Sequence, residues 1–419
     1  MDCISKCRIC GSKRAKLFFD LGRQPFANSL VKAKDVREKT YPLSLSWCPE
    51  CYLVQLNQTA EPDELFSNYV WVTGTSSAAK EYSVKFCDAV LAHAQAGKNK
   101  GCVLELASND GTFLKPFKNR GYKVLGVDPA QNIAEKALLD GVPTKCGFFG
   151  QTLAEEIVAE HGLPEVVFAR NVLPHVANLH DFVRGIGLCA DSNTLIAIEV
   201  HYAKVILEQL HYDSVYHEHL CYFTLKSIEN LLNRYSLYTY DVAESPISGG
   251  SIVLFIKKQK MKASSSVQQY RDDEEEHKSN GLSSWQEFSR RAFAHRDFLR
   301  RMLDEELKQE RTVVGYGASA RSSTLLNFCG IDSKYISMIA DQNPLKHKFF
   351  TAGTNILIDS PDVAMKSNPD TILLLAWNFR KEIVGILRNR FGFEGKLIVP
   401  LPHWPKIVNM GVCHAQTAV

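Results

Sequence analysis

The sequence predicts an α/β protein with a small cysteine-bearing N-terminal domain and two successive sheet-forming blocks. Two observations carry this. Short apolar runs alternate with helical stretches in a first block (CVLEL, KVLGV, EVVFA, TLIAIEV, SIVLFIKK) and in a second (TVVGYGASA, YISMIAD, TILLLAW, KLIVPLP). Apolar runs separated by helices read as strands of a parallel sheet. Two Cys-x-x-Cys pairs stand within the first 65 residues, which are rich in turns and short of long periodic segments. At 419 residues the chain exceeds one ordinary core. The expected parts are a metal-binding domain over 1–65, an α/β domain over 66–258, a linker and long helix over 259–310, and a second α/β domain over 311–419.

The linker is placed where the sequence turns polar, ending in RDDEEEHKSNG, a run that serves equally as the exposed face of a helix. The helix after it, over 283–310, carries Trp285, Phe288, Phe293, Phe298, Leu299, Met302 and Leu303 as its apolar residues.

A hydrophobic share of 45% and a charged share of 23% suit a globular protein. A net charge of +3 over this length argues against a nucleic-acid or membrane-surface protein, which would concentrate basic residues. No apolar run approaches the ~20 residues of a membrane span. MDCISKCRIC lacks the apolar core of a signal peptide, so a cytoplasmic protein is expected. A compact monomer is the expected state, with an oligomer left open. Eight of the twelve cysteines are scattered singly, as buried thiols are in a reducing compartment.

The other four are Cys7, Cys10, Cys48 and Cys51. Two thiolates three positions apart reach one ion, and two such knuckles complete a tetrahedral sulfur shell. Gly11 follows the first knuckle, where a glycine eases the turn. A closed four-sulfur shell leaves no position open for catalysis, so the expected metal is a structural Zn2+. Disulfides are the alternative that a cytoplasmic setting disfavours.

In the first block Glu105 ends the run CVLEL, the loop ASNDGTF follows, and Asp128 closes KVLGVD. In a doubly wound sheet both acids lie at carboxyl ends of adjacent strands, where ligands bind. An acid ending the second strand accepts hydrogen bonds from ribose hydroxyls, with Asn109, Asp110 and Gly111 passing close to the ligand. The block holds no Gly-x-Gly-x-x-Gly turn for a pyrophosphate. S-Adenosylmethionine has a ribose but no phosphate, and fits better than a dinucleotide. Helix capping by Asp128 is the competing role.

The stretch Tyr216-His217-Glu218-His219 is the densest ionisable segment. Its histidines suit a general base, Glu218 a tuning or orienting acid, and a tyrosine hydroxyl a donor to a developing oxyanion. His175, in ARNVLPHV, follows the strand EVVFA at its carboxyl end. On residue chemistry alone, catalysis, metal binding and a plain surface turn all stand open, and His201, His211 and His217 read as solvated or core-edge histidines.

The chain resembles the zinc-containing nucleotide-sugar C-methyltransferases that build branched deoxysugars of the tetronitrose, mycarose, noviose and virenose type. The resemblance runs end to end, through LGRQPFANSL, YPLSLSWCPECYLVQL, FSNYVWVTGTSS, LELASNDGTFLKPF, GVDPAQNIA, FARNVLPHV, SVYHEHLCYFTLKSI, ISGGSIVLF and GYGASARSSTLLNFCGI. It implies an N-terminal zinc domain, a class I methyltransferase Rossmann-like domain and a C-terminal Rossmann-like domain. It implies His219 as the base removing the C3 proton beside a C4 ketone of a nucleotide-linked (dTDP) 4-keto-6-deoxy sugar. Tyr216, Glu218, His175 and Tyr69 would line that pocket. Glu105, Asn109, Asp110, Gly111, Asp128 and Asn171 would contact S-adenosylmethionine, while Gly315, Gly317, Ser319 and Arg321 would lie near the pyrophosphate. The chain departs from relatives at Arg321-Ser322-Ser323 and Ser248-Gly249-Gly250, which bears on the sugar or nucleotide bound.

Three rivals are weighed. An NAD-dependent sugar oxidoreductase or epimerase would use the GYGASA turn, but the third glycine of the dinucleotide fingerprint is missing. A zinc-ribbon binding protein leaves the ionisable segment without work. O- or N-methylation of the sugar needs no carbon-acid base.

Overall fold

The computed structural model describes residues 2–34, 38–61, 65, 72–94 and 100–411. The chain forms two compact units. The first comprises residues up to Lys16, Ser46–Lys204 and Glu218–Leu282; the second comprises Leu17–Leu45, Val205–His217 and Ser283 onward. Among the described residues no helix is long and apolar enough to cross a membrane.

In the first unit, β1 (Val54–Leu56) follows the second cysteine knuckle, and α1 (Ser77–Ala94) leads into the sheet. The sheet then builds through β2 (Cys102–Leu106), α2 (Lys115–Asn119), β3 (Lys123–Asp128), α3 (Gln131–Leu139), β4 (Thr144–Cys146), α4 (Gln151–His161), β5 (Val166–Arg170), α5 (Leu179–Leu188) and β6 (Leu195–His201). β7 (Cys221–Tyr222), α6 (Leu225–Leu232), β8 (Tyr238–Ser245), β9 (Ser251–Lys257) and α7 (Ser265–Glu276) complete the unit. The strand order is β8-β9-β6-β5-β2-β3-β4. β2 to β6 run parallel, and β8 and β9 antiparallel. The apolar runs are the strands: Val103, Leu104, Val166, Val167, Leu195 and Ile196 are fully buried, as a sheet covered on both faces requires. Phe86, Phe113, Phe117 and Phe168 fill one face with ring centroids 5.3–5.7 Å apart, each burial contributing about 2 kcal/mol. The order reverses between β2 and β5, which puts a ligand crevice at their carboxyl ends.

The charged segment expected as a linker is the helix α7. Its Glu274 is buried and accepts from Tyr202 Oη (2.7 Å), Asn280 Nδ2 (2.9 Å) and the amides of Leu225 (2.5 Å) and Lys226 (3.2 Å). One of the five acids in a run of six charges thus caps the start of α6, while most of the others face water.

The second unit contains α8 (Leu282–Lys308), β10 (Val313–Tyr316), α9 (Ala320–Cys329), β11 (Met338–Ala340), β12 (Ile358–Asp359), β13 (Thr371–Leu374), β14 (Lys396–Val399) and β15 (Lys406–Asn409), with sheet order β12-β11-β10-β13-β14-β15. Only β15 is antiparallel to its neighbour. α8 buries Trp285, Phe288, Ala292, Leu299 and Leu303 at helical spacing. Phe298, expected on that stripe, is exposed, and His295 takes a buried place on it. His295 is tolerated there because its ring nitrogens meet Tyr212 Oη (3.0 Å) and the Pro400 carbonyl (2.7 Å).

Candidate active site

The four cysteine sulfurs all lie within 4.8 Å of one another. Sulfurs held at about 2.3 Å from one zinc ion stand roughly 3.8 Å apart, so the group fits a tetrahedral site. Both knuckles are shaped alike. Gly11 N donates to Cys7 O (2.9 Å) and Tyr52 N to Cys48 O (3.0 Å), and Gly11 (φ +72°) and Tyr52 (φ +65°) share the left-handed conformation. Cys51 hydrogen-bonds Cys7 and, more than any other neighbour, draws the Cys7 thiol down to about 5. Among the described residues no other group of His, Cys, Asp and Glu is arranged to hold a metal ion, so the metal-binding reading of the Tyr216–His219 stretch gains no support. The metal cluster is tied to β1: Arg8 N donates to Gln55 Oε1 (2.8 Å), and Arg8 Nη2 donates to the carbonyls of Leu56 (3.2 Å) and Gln58 (3.0 Å).

At the strand ends, Ala107 (φ +56°), Asn109 (φ +50°) and Gly111 (φ +72°) all take left-handed backbone. Two side-chain-bearing residues therefore do work usually given to glycine, at roughly 1 kcal/mol each. A Cβ on Gly111 would come within 2.8 Å of the Val142 side chain. Asp128 accepts from Asn109 N (2.8 Å) and Ala130 N (3.0 Å), so it holds the loop and caps the following turn together. Burial raises its pKa against those two donors. The side chains of Asn109 and Asp110 reach the short helix Thr73–Thr75, accepting from Thr73 N (2.8 Å) and Gly74 N (3.0 Å). The loop is thereby strapped from outside. Glu105 Oε2 is buried with no partner among the described residues. Burial pushes its pKa well above the carboxylate range; Arg170 opposes, and Asp110, Asp128 and Glu199 add to the rise. Asn171, just past β5, is also left-handed (φ +51°), and its Oδ1 is likewise buried without a partner. Two orphaned acceptors at the ends of the central strands suit a ligand with donors and positive charge.

His219 and His175 meet edge to face, with ring centroids 4.8 Å apart at 75°. Their backbones are fixed from two sides. Leu220 N donates to Pro174 O (2.7 Å), and Leu56 N of β1 donates to Leu220 O (2.9 Å). β7 then pairs antiparallel with β1. His175 is half-buried as a residue, and its Nδ1 is buried. Burial lowers its pKa to about 4, against a hydrogen bond with the Glu218 backbone, so it is neutral near pH 7. Glu218 is buried and His219 half-buried. Tyr216 falls in the second unit, as does His217, which is buried and hydrogen-bonded to Pro42 O (3.1 Å). Tyr69 lies outside the described residues.

Gly315, Gly317, Ser319 and Arg321, expected near a pyrophosphate, all lie in the second unit. Gly315 lies within β10, where a Cβ would meet Leu375 and Ile339 at 2.9 and 3.0 Å. Gly317 (φ +97°) lets the turn pass Ala376, whose Cβ would stand 2.3 Å from an added one. Both glycines answer to packing. Ser319 caps α9 by accepting from Ser322 N. Arg321 is engaged bidentately by Asp213 (3.0 and 2.8 Å) and stacks on Trp377, so its charge is already matched.

Sequence reasoning missed Glu199, in β6. Fully buried, it gathers Tyr82, Arg170, Asn171 and Ser245. The one available signal was an acid interrupting the apolar run TLIAIEV.

The strand order, the strapped loop and the cysteine cluster define an S-adenosylmethionine-dependent methyltransferase of class I fold carrying a zinc-binding module. Family models agree: a zinc-binding domain matches residues 7–66, a methyltransferase domain 78–241, and a C-methyltransferase C-terminal domain 246–402. The chain belongs to the C-methyltransferase family; it is 32% identical over 411 residues, 97% of either chain, to C-methyltransferase NovU from Streptomyces niveus. Solved structures with partial likeness include the PH0226 protein from Pyrococcus horikoshii (16% identity, 48% of this chain and 100% of that one, TM-score 0.34). Another is magnesium protoporphyrin IX methyltransferase from Synechocystis (16%, 44% and 88%, TM-score 0.34).

Proposed function

We propose that the acceptor is C3 of a nucleotide-linked (dTDP) 4-keto-6-deoxy sugar and that His219 removes its proton. One observation carries this reading: the loop 171–175 bears both the orphaned acceptor of Asn171 and the imidazole that packs on His219. A base is thus held one short loop away from a cofactor contact. A C–H beside a ketone is acidic enough for a histidine, and the electron pair left on carbon is delocalised onto the C4 oxygen. S-Adenosylmethionine, when bound, supplies an electrophilic methyl group to that carbon. The neutral ring of His175 does not repel the imidazolium that His219 becomes, and Glu218 lies next to it in the chain. Incubation with 13C-methyl S-adenosylmethionine and a panel of dTDP-linked 4-keto-6-deoxy sugars should give a product whose label sits on carbon. Label on oxygen or nitrogen would overturn the reading.

Glu105, Asp128 and Asn171 are the proposed cofactor contacts, with the backbone of Asn109, Asp110 and Gly111. Because Glu105 has a raised pKa when the site is empty and a positively charged ligand favours its ionised form, binding should expel a proton. Affinity for S-adenosylmethionine should then rise with pH, by up to about tenfold per unit, until the free-protein pKa is passed. Calorimetry in buffers of different ionisation enthalpy measures the proton directly. Glu105→Gln should abolish the release and weaken binding about 30-fold, the worth of a charged hydrogen bond of roughly 2 kcal/mol. A pH-independent affinity in the unmodified protein would remove Glu105 from the site.

A further inference from the structure

We propose that Glu199 is a positioning residue that fixes the side-chain amide of Asn171 so that its carbonyl oxygen is presented to the cofactor. The inference rests on the reading of Asn171 as a cofactor contact. An asparagine amide is nearly symmetric in shape, and only its surroundings decide which end faces a ligand. Here the decision is made by an acceptor. Asn171 Nδ2 donates to Glu199 Oε1 at 2.6 Å, and Asn171 N donates to the Glu199 carbonyl at 2.8 Å. A carboxylate cannot donate, so the reversed amide would set oxygen against oxygen. With Nδ2 taken, Oδ1 is left buried and unpartnered among the described residues.

Glu199 itself has no freedom to turn. Arg170 Nη2 donates to Oε1 (3.2 Å), and Tyr82 Oη and Ser245 Oγ donate to Oε2 (3.0 and 3.2 Å), so both oxygens are held from two sides. The Arg170 guanidinium is pinned over the Phe113 ring, 3.1 Å from its centroid. Four donors, one of them cationic, offset the cost of burying this carboxylate completely. Three of them, Tyr82, Arg170 and Ser245, come from α1, β5 and β8, so the amide is oriented by the sheet rather than by its own loop.

The test uses the full-length, zinc-loaded protein, with the dissociation constant for S-adenosylhomocysteine measured by calorimetry and KM for S-adenosylmethionine compared with kcat. Asn171→Ala should weaken binding about 10- to 100-fold. Unchanged affinity in that variant removes the cofactor contact and the inference with it. Glu199→Gln and Asn171→Asp should each weaken binding about tenfold or more, raising KM while kcat at saturation changes less than about threefold. The decisive variant is the exchange Glu199→Gln/Asn171→Asp, which keeps one carboxylate and one amide and restores a donor–acceptor pair with a free oxygen toward the cofactor. Its affinity should return to within about threefold of the unmodified protein, a non-additivity that marks direct coupling. Should Glu199→Gln not fold, the exchange against Asn171→Asp carries the comparison. If Asn171→Ala weakens binding but the exchange is no better than Asn171→Asp, Glu199 is structural only, and the proposed acceptor and base are untouched.

Discussion

Replacing His219 by asparagine is expected to lower turnover about 10^3-fold while leaving affinity for S-adenosylhomocysteine within twofold. The amide keeps the size and polarity of the imidazole but cannot take a proton near neutral pH, and positioned general bases contribute about 10^2- to 10^4-fold. The proposed cofactor contacts lie on other residues, at the ends of β2, β3 and β5, so binding and chemistry should separate. The ring against His219 sharpens the expectation. His175 is neutral over the working range because burial lowers it to about 4, so His219 can become cationic without a like charge 4.8 Å away. Turnover within threefold of the unmodified enzyme would remove His219 from the proton transfer.

Loss of zinc should have an effect of similar rank by a different route. The metal closes two knuckles, and Arg8 and Gln55 bind the first of them to β1. β1 in turn carries Leu220 and β7, the residues immediately after the proposed base. Structural zinc supplies folding free energy outright, on the order of 10 kcal/mol in small domains. Cys48→Ser, with its ion lost, should therefore unfasten the 218–222 segment. A misplacement of about 1 Å at a reacting group is worth roughly 10^2-fold, so turnover should fall by about that much and the melting temperature should drop. Metal analysis should find one zinc per unmodified chain. A metal-free variant with unchanged turnover and melting temperature would show that the cluster does not support the base.

The sheets were legible because a strand buried on both faces is a continuous apolar run, and nine such runs stand in the sequence. The cysteine site was legible because its ligands are paired locally. Long-range pairing was not. Asp213 and Arg321 are 108 residues apart, and nothing in the local pattern says that this arginine is already neutralised. In GYGASA, Gly317 also answers to the closeness of Ala376, a contact that exists only once β10 and β13 are side by side. The charge run RDDEEE hides one deeply buried glutamate among exposed ones, since composition does not tell which face of a helix is covered. Glu199 was missed for the converse reason: an apolar run gives no hint that its one acid has four donors waiting.

The central claim, abstraction of a proton from carbon, is tested most directly by solvent exchange. The enzyme is incubated with a dTDP-linked 4-keto-6-deoxy sugar in deuterium oxide, with S-adenosylhomocysteine in place of the methyl donor. C3–H should be replaced by deuterium at a rate that collapses in His219→Asn. A sugar that is methylated in the complete reaction yet shows no enzyme-dependent exchange at C3, or exchange that persists in His219→Asn, would contradict the account.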